Sequence, residues 1–409
     1  MNDISFLDAV RLSQANVVAM NHEVIPVNRA VGRVAAREVR SVIDSPSADV
    51  SVKDGYAVIS DDLATASANH PVFLQVVSTA AAGDNSEHEV SAGLAVRVLS
   101  GALLPKGANA VLAEEFTLLH GGLVEARANS HVGRNILTQG EDVQAGEMLA
   151  KPNQELTPTV VGLMVAGGVT EVEVFRRPKV SLLGIGDEVL LPGMTQRRGA
   201  IYASNLALQE AWLLSHSLPS DIKICGDSFQ GIAESVDALT DAADVLVTSG
   251  GAWKSERDLI VKVLESLGWE ILFHRVRMGP GKAVAMARRR GKAVFCLPGG
   301  PPSNEAAFLT IVLPAILRMS GSESWPYPKL YGRLSEELTG QKDWTQIVHC
   351  GVLRDSEEFS LEPLRMKRRL ISMARAGGLC LIPEGTERIP AGSMVPFFCI
   401  DKTVLAASW

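Results

Sequence analysis

The spacing of apolar residues in the first part of the chain predicts two helices that flank a β-rich segment. Ser5-Phe6-Leu7-Asp8 has the pattern of a capping box before an amphipathic helix. Between about 70 and 142, short strand-like runs alternate with Gly, Pro and Asn, which is typical of a small β-rich domain. Thr157-Pro158 then indicates a helix start, and Gly167-Gly168 its end. This second helix is apolar on most sides, so we expect it to be buried between domains.

After Pro178 the predicted strands and helices alternate regularly. The predicted strands are 179–183, 222–224, 245–248 and 293–297, and the predicted helices are 205–214, 232–239, 259–267 and 305–319. Such alternation indicates βαβ units, and hence a doubly wound, mostly parallel sheet covered on both faces, with a hairpin-like passage at 275–287. Beyond Gly321 the helices end, and alternating apolar and polar residues predict a small β-barrel or β-sandwich.

Length and charge narrow the class of protein. A chain of 409 residues is too long for one hydrophobic core, so we expect several domains. The chain has no apolar run of membrane-spanning length, and Asp3 and Asp8 break the basic-then-apolar order of a signal peptide, so we expect a cytoplasmic protein without a membrane partner. The net charge of -7, with no long basic stripe, argues against a nucleic-acid partner.

Cysteines, histidines and two basic runs add further expectations. The 5 cysteines are odd in number and form no C-x-x-C pair, which fits reduced, buried thiols. The 8 histidines have no i, i+4 pair, which argues against a zinc site. The basic run 288–292 is expected to be a solvated hairpin turn. The run 365–369 is either a solvated edge or a surface that faces an anionic ligand across a domain boundary.

Glycines and acidic residues follow the predicted strands of the α/β segment. In an open α/β sheet, ligands bind outside the carboxyl ends of the strands, so these residues are expected to lie together. The segments are Gly184-Ile185-Gly186-Asp187-Glu188, Gly226-Asp227-Ser228, Thr248-Ser249-Gly250-Gly251 and Pro298-Gly299-Gly300-Pro301-Pro302-Ser303-Asn304.

This pattern predicts a site for a phosphorylated ligand and a divalent cation. Glycines let backbone N–H groups approach an anion, and the helix N-terminus after Ser303 favours a phosphate. Glu188, Asp227 and Asp258 are the candidates for holding a hard cation such as Mg²⁺ between the protein and that phosphate. Plainer roles remain open: Asp187 and Asp227 as turn caps, Asp258 as a helix N-cap and Glu188 as a surface residue.

Two nucleotide-binding motifs are absent. Gly279-Pro280-Gly281-Lys282 lacks the earlier glycine and the following Ser or Thr of a phosphate loop, because Val276 and Ala283 occupy those places. Gly184-Ile185-Gly186 has Val189 where a dinucleotide fingerprint has its third glycine, which argues against a nicotinamide dehydrogenase. Arg275, Arg277 and Lys282 still form a basic island that is suited to a phosphate or oxyanion.

Taken in order, several segments resemble the molybdopterin molybdenumtransferase family, the bacterial MoeA type also represented by the gephyrin E domain. The matching segments are Asp54-Gly55-Tyr56-Ala57-Val58 for the family's D-G-Y-A-V, residues 100–108 for its T-G-A-P-x-P-x-G-A, Asn135-Ile136 with Gly140-Glu141-Asp142 for its N-I-R-x-x-G-E-D, and Gly186-Asp187-Glu188 for its T-G-D-E-L. The likeness extends from the first helix to the last strands, and collinear matches are more specific than any single one.

The resemblance implies an α/β multidomain fold with four parts. These are an elongated N-terminal linker domain (1–45 with 143–177), a small β-rich domain carrying Asp54 (46–142), a molybdopterin-binding α/β domain (178–324) and a C-terminal β-barrel (325–409). It implies a homodimer, and as partners the molybdopterin adenylyltransferase and the apoproteins of molybdoenzymes. It also implies that molybdate is inserted into adenylylated molybdopterin with release of AMP and assistance from Mg²⁺. Tungstate in place of molybdate stays open.

Site residues follow position by position from the same resemblance. Asp54 and Glu188 match acids implicated in metal insertion, and Ser100 and Asp142 match motif positions that we also expect to be catalytic. The expected cofactor-binding residues are Gly186, Asp227, Ser249, Gly250, Gly251, Asp258, Arg275, Lys282, Pro298, Gly299, Pro301 and Ser303. Glu188, Asp227 and Asp258 are the expected metal ligands.

Four positions depart from the family pattern. Leu137 replaces an arginine, Gly279 a lysine, Ala203 an aspartate and Cys350 an arginine. The segment 250–258 matches the first two glycines and the final aspartate of the family's G-G-V-S-V-G-x-x-D but differs between them. Lys254 or Arg257 in this differing part offers a replacement cation. These departures leave a second hypothesis, a molybdopterin-binding homologue without insertion activity. A molybdopterin adenylyltransferase is disfavoured, because that family lacks the D-G-Y-A-V and C-terminal β domains.

Overall fold

The computed structural model describes residues 3–84, 87–250, 259–355 and 358–405. Two compact units are distinct in their internal contacts: Val24–Val174, here called unit two, and the chain before Val24 together with the chain from Phe175 onward, here called unit one. No helix in the described parts of the chain has the length and hydropathy needed to span a membrane.

Unit two contains a six-stranded sheet, which lies where the sequence predicts a β-rich domain. Its strands, in spatial order, are Ala110–Ala113, Gly55–Val58, Leu94–Val98, Val72–Ala80, Leu123–Ala126 and Thr117–His120. Four further strands pair two by two: Ile136–Leu137 with Val50–Ser51, and Met148–Ala150 with Val39–Arg40. Short 3-10 turns cover Val27–Arg29, Ser60–Leu63 and Glu114–Phe116.

The helix of unit two begins and ends where its sequence predicts. It spans Pro158–Ala166, the Thr157 hydroxyl accepts the Val160 N–H at 3.3 Å, and Gly167 is the C-cap. This satisfies one of the orphan N–H groups of its first turn. Within its unit the helix buries Val161 and Met164, while Val165 is 54% exposed. The strand Glu171–Phe175 follows it and pairs with His22–Pro26.

The first helix of the chain belongs to unit one. It spans Phe6–Ala15, and the predicted capping box forms: the Asp8 N–H donates to the Ser5 hydroxyl at 3.1 Å. Phe6 and Ala9 are buried in the core under the α/β sheet. The apolar stripe of the helix therefore decides its position. The domain boundaries that the resemblance implies remain predictions.

The main sheet of unit one is the predicted doubly wound sheet. Its strands, in spatial order, are Ser220–Cys225, Val180–Ile185, Val245–Gly250, Lys292–Leu297, Ala285–Arg289 and Glu270–His274. The first four are parallel, and the last two join antiparallel through the hairpin that the basic run 288–292 predicts. A short parallel pair, Val189–Leu190 with Ile201–Tyr202, follows the strand Val180–Ile185.

Helices cover both faces of this sheet. Ser204–Ser215 and the continuous helical stretch 301–319 pack on one face, and Phe229–Ala242 and Leu259–Ser266 pack on the other. The stretch 301–319 comprises Pro301–Ala307, the π-helical turn Phe308–Val312 and Leu313–Met319. The near-continuous apolar strands are buried from both sides, which is the usual condition of a parallel sheet.

The C-terminal region is a closed five-stranded barrel. Its strands are Lys329–Leu334, Thr345–Asp355, Glu358–Pro363, Gly378–Ile382 and Met394–Cys399. Each is hydrogen-bonded to two others, and the pairing of Thr345–Asp355 with Gly378–Ile382 closes the ring. Val276–Gly279 extends this sheet in parallel and pairs with Ile4–Ser5, while Leu338–Thr339 pairs with Arg388–Ile389.

Two features of the C-terminal region bear on the sequence predictions. The prediction that helices end at Gly321 is wrong at one place, because the basic run continues into the short helix Arg369–Met373 after the 3-10 turn Met366–Arg368; a second 3-10 turn is Lys402–Leu405. All the cysteines are free thiols, and four of them are buried.

Candidate active site

A cavity of about 1310 Å³ lies at the carboxyl ends of the parallel strands of unit one. Its wall includes the ends of neighbouring strands and the loops after them, which is the edge where open α/β sheets bind ligands. The predicted site residues that line it are Glu188, Ser249, Gly250, Arg275, Lys282, Pro298, Gly299, Pro301 and Ser303. The structure therefore brings together residues that are more than one hundred positions apart in sequence.

The other predicted site residues lie elsewhere or outside the described residues. Asp227 is exposed, and neither it nor Gly186 is part of the cavity lining. Gly251 and Asp258 lie outside the described residues, as does the rewritten Trp253-Lys254 segment. Asp54, Ser100 and Asp142 belong to unit two.

Two glycines show why the strand ends need this residue type. Gly250 has φ +96°, and a Cβ atom there would lie 2.4 Å from the carbonyl oxygen of Ile185 on the neighbouring strand. Gly186 has φ +151°, and a Cβ atom there would lie 2.7 Å from Oε2 of Glu188. A side chain at Gly250 would force the two strand backbones apart, whereas one at Gly186 would displace the Glu188 carboxylate; both positive φ angles favour glycine. The Glu188 carboxylate is thus folded back over the turn that follows the first strand.

The buried side-chain amide of Asn304 holds the loop 298–304 through hydrogen bonds. The Asn304 Nδ2 group donates to Ser249 Oγ at 3.0 Å and to the Pro298 carbonyl at 2.9 Å. Its Oδ1 accepts a bond from Gln209 Nε2 at 2.7 Å. Asn304 is fully buried, so each of these bonds replaces one that water would otherwise make. Its role as a loop support follows only from the folded arrangement.

A second amide joins the same network from the neighbouring helix. Asn205 Nδ2 donates to Ser249 Oγ at 3.1 Å and to the Gly299 carbonyl at 2.9 Å. Ser249 thus accepts from two amides, while its own proton remains available as a donor at the cavity wall. The sequence contains a signal for Asn205, because Tyr202-Ala203-Ser204-Asn205 corresponds to the family's Y-D-x-N with Ala203 in place of the aspartate.

Three cationic side chains line the cavity. Arg275 and Lys282 come from the predicted basic island, and Arg369 comes from the run that the sequence left as either a solvated edge or an anion-facing surface. Lys282 Nζ lies 3.4 Å from Asp3 Oδ2 and 4.6 Å from the centre of the Trp344 ring. For Arg369 the structure favours the anion-facing alternative, because its side chain lies at the cavity and not on a remote edge.

The barrel supplies part of the cavity wall. Gln341, Trp344 and Gln346 line it, together with Leu370 from the short helix next to Arg369. Sequence reasoning missed these residues, because nothing in the local pattern of a β-barrel strand marks one side chain as facing a ligand.

The departures from the family pattern fall in different environments. Gly279 and Ala203 line the cavity. Cys350 is fully buried inside the barrel, where its sulfur lies 3.5 Å from that of Cys380. The hydrogen bond with Cys380, together with burial, raises the pKa of the Cys350 thiol, so it stays protonated. Cys350 therefore lies in the core of the barrel and is not part of the cavity lining.

Asp54 and Ser100 form a local pair in unit two. The Ser100 backbone N–H and hydroxyl both donate to Asp54 Oδ1, at 2.7 and 2.9 Å. These two bonds lower the pKa of the exposed Asp54 carboxyl, so it is ionised at neutral pH. Asp142 is also exposed, and its backbone N–H donates to the Ser45 carbonyl at 3.0 Å. The Asp54 carboxylate therefore joins the two segments that carry the D-G-Y-A-V and T-G-A-like motifs.

The acids at the cavity edge fit a partly hydrated cation better than a protein cage. Within the described residues, no group of three or more His, Cys, Asp and Glu side chains is placed to hold a metal ion. Glu188 is the one predicted metal ligand that lines the cavity. Mg²⁺ commonly takes one or two carboxylates and completes its shell with water and substrate phosphates. The residues present are therefore compatible with a magnesium ion that arrives with a phosphorylated ligand.

Fold and site together define an α/β protein with a cavity at the strand ends that is lined by cationic side chains, and comparisons with known proteins specify it further. Residues 4–168 match the family model described as MoeA N-terminal region (domain I and II). Residues 181–318 match the model described as probable molybdopterin binding domain. A molybdopterin molybdenumtransferase of Haemophilus influenzae is 31% identical over 316 residues, which cover 76% of each chain. The chain belongs to the molybdopterin molybdenumtransferase family.

Relatives of lower identity match almost the whole chain. A molybdopterin molybdenumtransferase of Staphylococcus epidermidis is 25% identical over 396 residues, covering 96% of this chain and 94% of that one. The solved structure of a molybdopterin biosynthesis MoeA protein from Pyrococcus horikoshii has a TM-score of 0.82 at 29% identity, over 97% of this chain and 99% of that one. The family resemblance and the multidomain α/β fold that the sequence predicts are confirmed.

Proposed function

We propose that this chain is a molybdopterin molybdenumtransferase of molybdenum cofactor biosynthesis, which inserts molybdenum from molybdate into adenylylated molybdopterin with release of AMP. The observation that carries this proposal is the strand-end cavity with its glycine turns and cationic side chains, in a chain that matches members of the family along nearly its full length. Hydrolysis of the phosphoanhydride consumes one water and leaves AMP and the pterin monophosphate. Both dithiolene sulfurs then bind molybdenum while their two thiol protons leave with one oxo ligand of molybdate as water, and the oxidation state of molybdenum does not change.

The residues of the cavity have distinct roles in this reaction. Arg275, Lys282 and Arg369 offset the negative charge of the phosphates through charge-assisted hydrogen bonds. The loop 298–304, held by Asn304, presents a helix N-terminus to the same groups. Glu188 would hold a magnesium ion, which when bound supplies charge neutralisation at the phosphoanhydride. Most of the catalytic effect would then come from positioning and electrostatics.

Several finer predictions belong to this proposal. Asp54, Ser100 and Asp142 would serve metal insertion, and Gly186, Asp227, Gly251 and Asp258 would serve cofactor binding. A homodimer, a cytoplasmic location, and contacts with the adenylyltransferase and with molybdoenzyme apoproteins are also expected from family membership. In this role the ionised Asp54 carboxylate would hold a cation beside the oxyanion substrate.

A reconstitution assay tests the proposal. The protein is incubated with adenylylated molybdopterin, molybdate and Mg²⁺, and AMP release and pterin-bound molybdenum are measured. We expect both products to form together, and both to fall when Mg²⁺ is omitted; parallel reactions with tungstate determine the metal. Tight binding of the pterin nucleotide with neither product, under all conditions, would reject the proposal in favour of a non-catalytic binding protein.

A further inference from the structure

A buried carboxylate–imidazole pair lies next to the cavity without being part of its wall. Glu305 Oε2 and His349 Nε2 are 2.9 Å apart, and the two side chains are only 6% and 1% exposed. Glu305 belongs to the first helical turns after the loop 298–304, and His349 belongs to the barrel strand Thr345–Asp355. The pair is therefore a direct polar contact between the α/β sheet layer and the barrel.

Such a pair is not explained by stability alone. Removing two polar side chains from water is expensive, and a well-packed apolar pair of similar volume often stabilises a protein as well or better. Leaving either partner without the other would bury an unpaired polar group, which is strongly unfavourable. The contact therefore specifies one arrangement of the helix relative to the strand, since a shifted arrangement would lose the bond while both side chains remained buried.

The neighbours of each partner connect the pair to the cavity. Glu305 directly follows Asn304 and lies two residues after Ser303, which lines the cavity. His349 lies three residues after Gln346 on the same strand, and Gln346 lines the cavity from the barrel. A shift of the helix along the strand would consequently change the distance between these two walls.

A third polar side chain lies close to the pair. Tyr327, in the segment before the first barrel strand, is 6% exposed, and its ring packs edge-on against Trp212 with centroids 5.9 Å apart. Burial, and secondarily the Glu305 carboxylate, raise the pKa of Tyr327 well above its usual value. Its hydroxyl thus keeps its proton, and within the described residues it has no hydrogen-bond partner.

We propose that Glu305 and His349 form a positioning pair, which fixes the barrel against the phosphate-binding loop and so sets the width of the cavity between Ser303 and Gln346. The kinetic part of this inference rests on the proposed function, whereas the structural part does not. Neither residue touches the reacting groups; both act through the walls that they hold.

Leucine and glutamine variants at the two positions test the pair. We expect Glu305→Leu and His349→Leu to speed hydrogen–deuterium exchange in both 298–304 and 341–350. In the insertion assay they should raise KM for adenylylated molybdopterin about tenfold, with a smaller change in kcat, because remote misplacement by about 1 Å already has effects of this size or larger. Glu305→Gln and His349→Gln keep a hydrogen-bonding group and should recover most of both effects.

A matched control separates positioning from general loss of stability. The Thr310 hydroxyl donates to the Ala306 carbonyl at 2.6 Å inside the same helical stretch and is equally buried, but the bond stays within that stretch. Thr310→Val should therefore lower the melting temperature without changing KM or the exchange of 341–350. Leucine variants that fold and behave like Thr310→Val in exchange and KM would overturn the proposal.

Two further outcomes are also decisive. If the leucine variants do not fold, the exchange rates of Glu305→Ala, His349→Ala and their double variant are compared; additive effects would overturn the proposal, and non-additive effects would support it. If the parent protein shows no insertion activity, the proposed function fails, yet the exchange data still decide whether the pair joins the two walls.

Discussion

At the scale of single residues, the cavity of this protein depends on cations that come from separate segments. Lys282 is 47% exposed and is held between the Asp3 carboxylate and the Trp344 ring, so its ammonium group is already oriented before a ligand arrives. Exposed ion pairs contribute little to stability, which leaves Lys282 free to exchange Asp3 for a phosphate. Its main contribution should therefore be to binding.

We expect Lys282→Ala to weaken the binding of AMP or adenylylated molybdopterin about tenfold, because it removes one charge-assisted hydrogen bond at a partly exposed site. The difference should shrink as salt is raised, since the charge is screened. Isothermal titration calorimetry at two salt concentrations measures both effects. Lys329→Ala, an exposed lysine of the barrel that does not line the cavity, is the control. Equal affinities of parent and Lys282→Ala would show that this lysine does not face the phosphates.

At the scale of elements, the partly buried carboxylate of Asp244 fixes the start of the first parallel strand. Arg176 donates to both oxygens of Asp244, at 3.0 and 3.1 Å, and the Lys179 N–H donates to the same carboxylate at 2.7 Å. Burial raises the pKa of Asp244, but the Arg176 hydrogen bond and the Lys179 N–H lower it more, so the pKa lies below the usual 3.8. Asp244 thus anchors the strand Val180–Ile185, whose far end forms the cavity.

This anchor predicts a pH-dependent stability. A carboxyl with a lower pKa in the folded state stabilises the fold fully above its unfolded pKa, and the contribution is lost as the pH falls through the folded value. We expect Asp244→Asn to reduce the unfolding free energy by about 2 kcal/mol at neutral pH, and this difference to shrink below about pH 4. Urea denaturation at pH 7 and at several acidic pH values measures it. Asp241→Asn, at an exposed position nearby, should show no such difference; a constant deficit for Asp244→Asn at all pH values would contradict the assignment.

At the scale of the whole molecule, the described cavity residues all belong to unit one, although unit two interrupts its chain. The chain leaves unit one after Glu23 and returns at Phe175, and the rings of His22 and Phe175 are 4.9 Å apart. Close chain ends are the usual condition for a domain insertion that can be removed. We therefore expect the cavity of unit one to persist when unit two is deleted.

We expect a variant that replaces residues 24–174 by a short Gly/Ser linker to fold and to bind AMP within about threefold of the parent, a difference below 1 kcal/mol. It should not insert molybdenum, because the proposed Asp54 and Ser100 are gone. Circular dichroism melting, calorimetry and the insertion assay check these points. Asp54→Asn in the full chain tests one residue of unit two: we expect this variant to bind AMP like the parent and to lose molybdenum insertion. A deletion variant that still inserts metal would remove unit two from the proposed reaction.

Local sequence patterns determined much of this protein. The capping box at Ser5 and the cap at Thr157 depend on residues three apart, so their geometry follows from the sequence alone. The alternation after Pro178 determined the parallel sheet, and Gly186 and Gly250 marked strand ends at which the backbone adopts a positive φ angle. Each of these features depends on backbone sterics and hydrogen bonds within a few residues.

Packing between distant segments decided the rest. Arg369 and Trp344 reach the cavity because the barrel packs against the α/β layer, Cys350 points into the barrel and not toward the ligand, and the first helix joins the core of unit one. Asn304 becomes a loop support only when Ser249 and Gln209 arrive from other elements. The sequence by itself determined the elements and the chemistry available at their ends. The tertiary structure decided which of those groups meet, because burial energy depends on which surfaces pack together and not on neighbours in the chain.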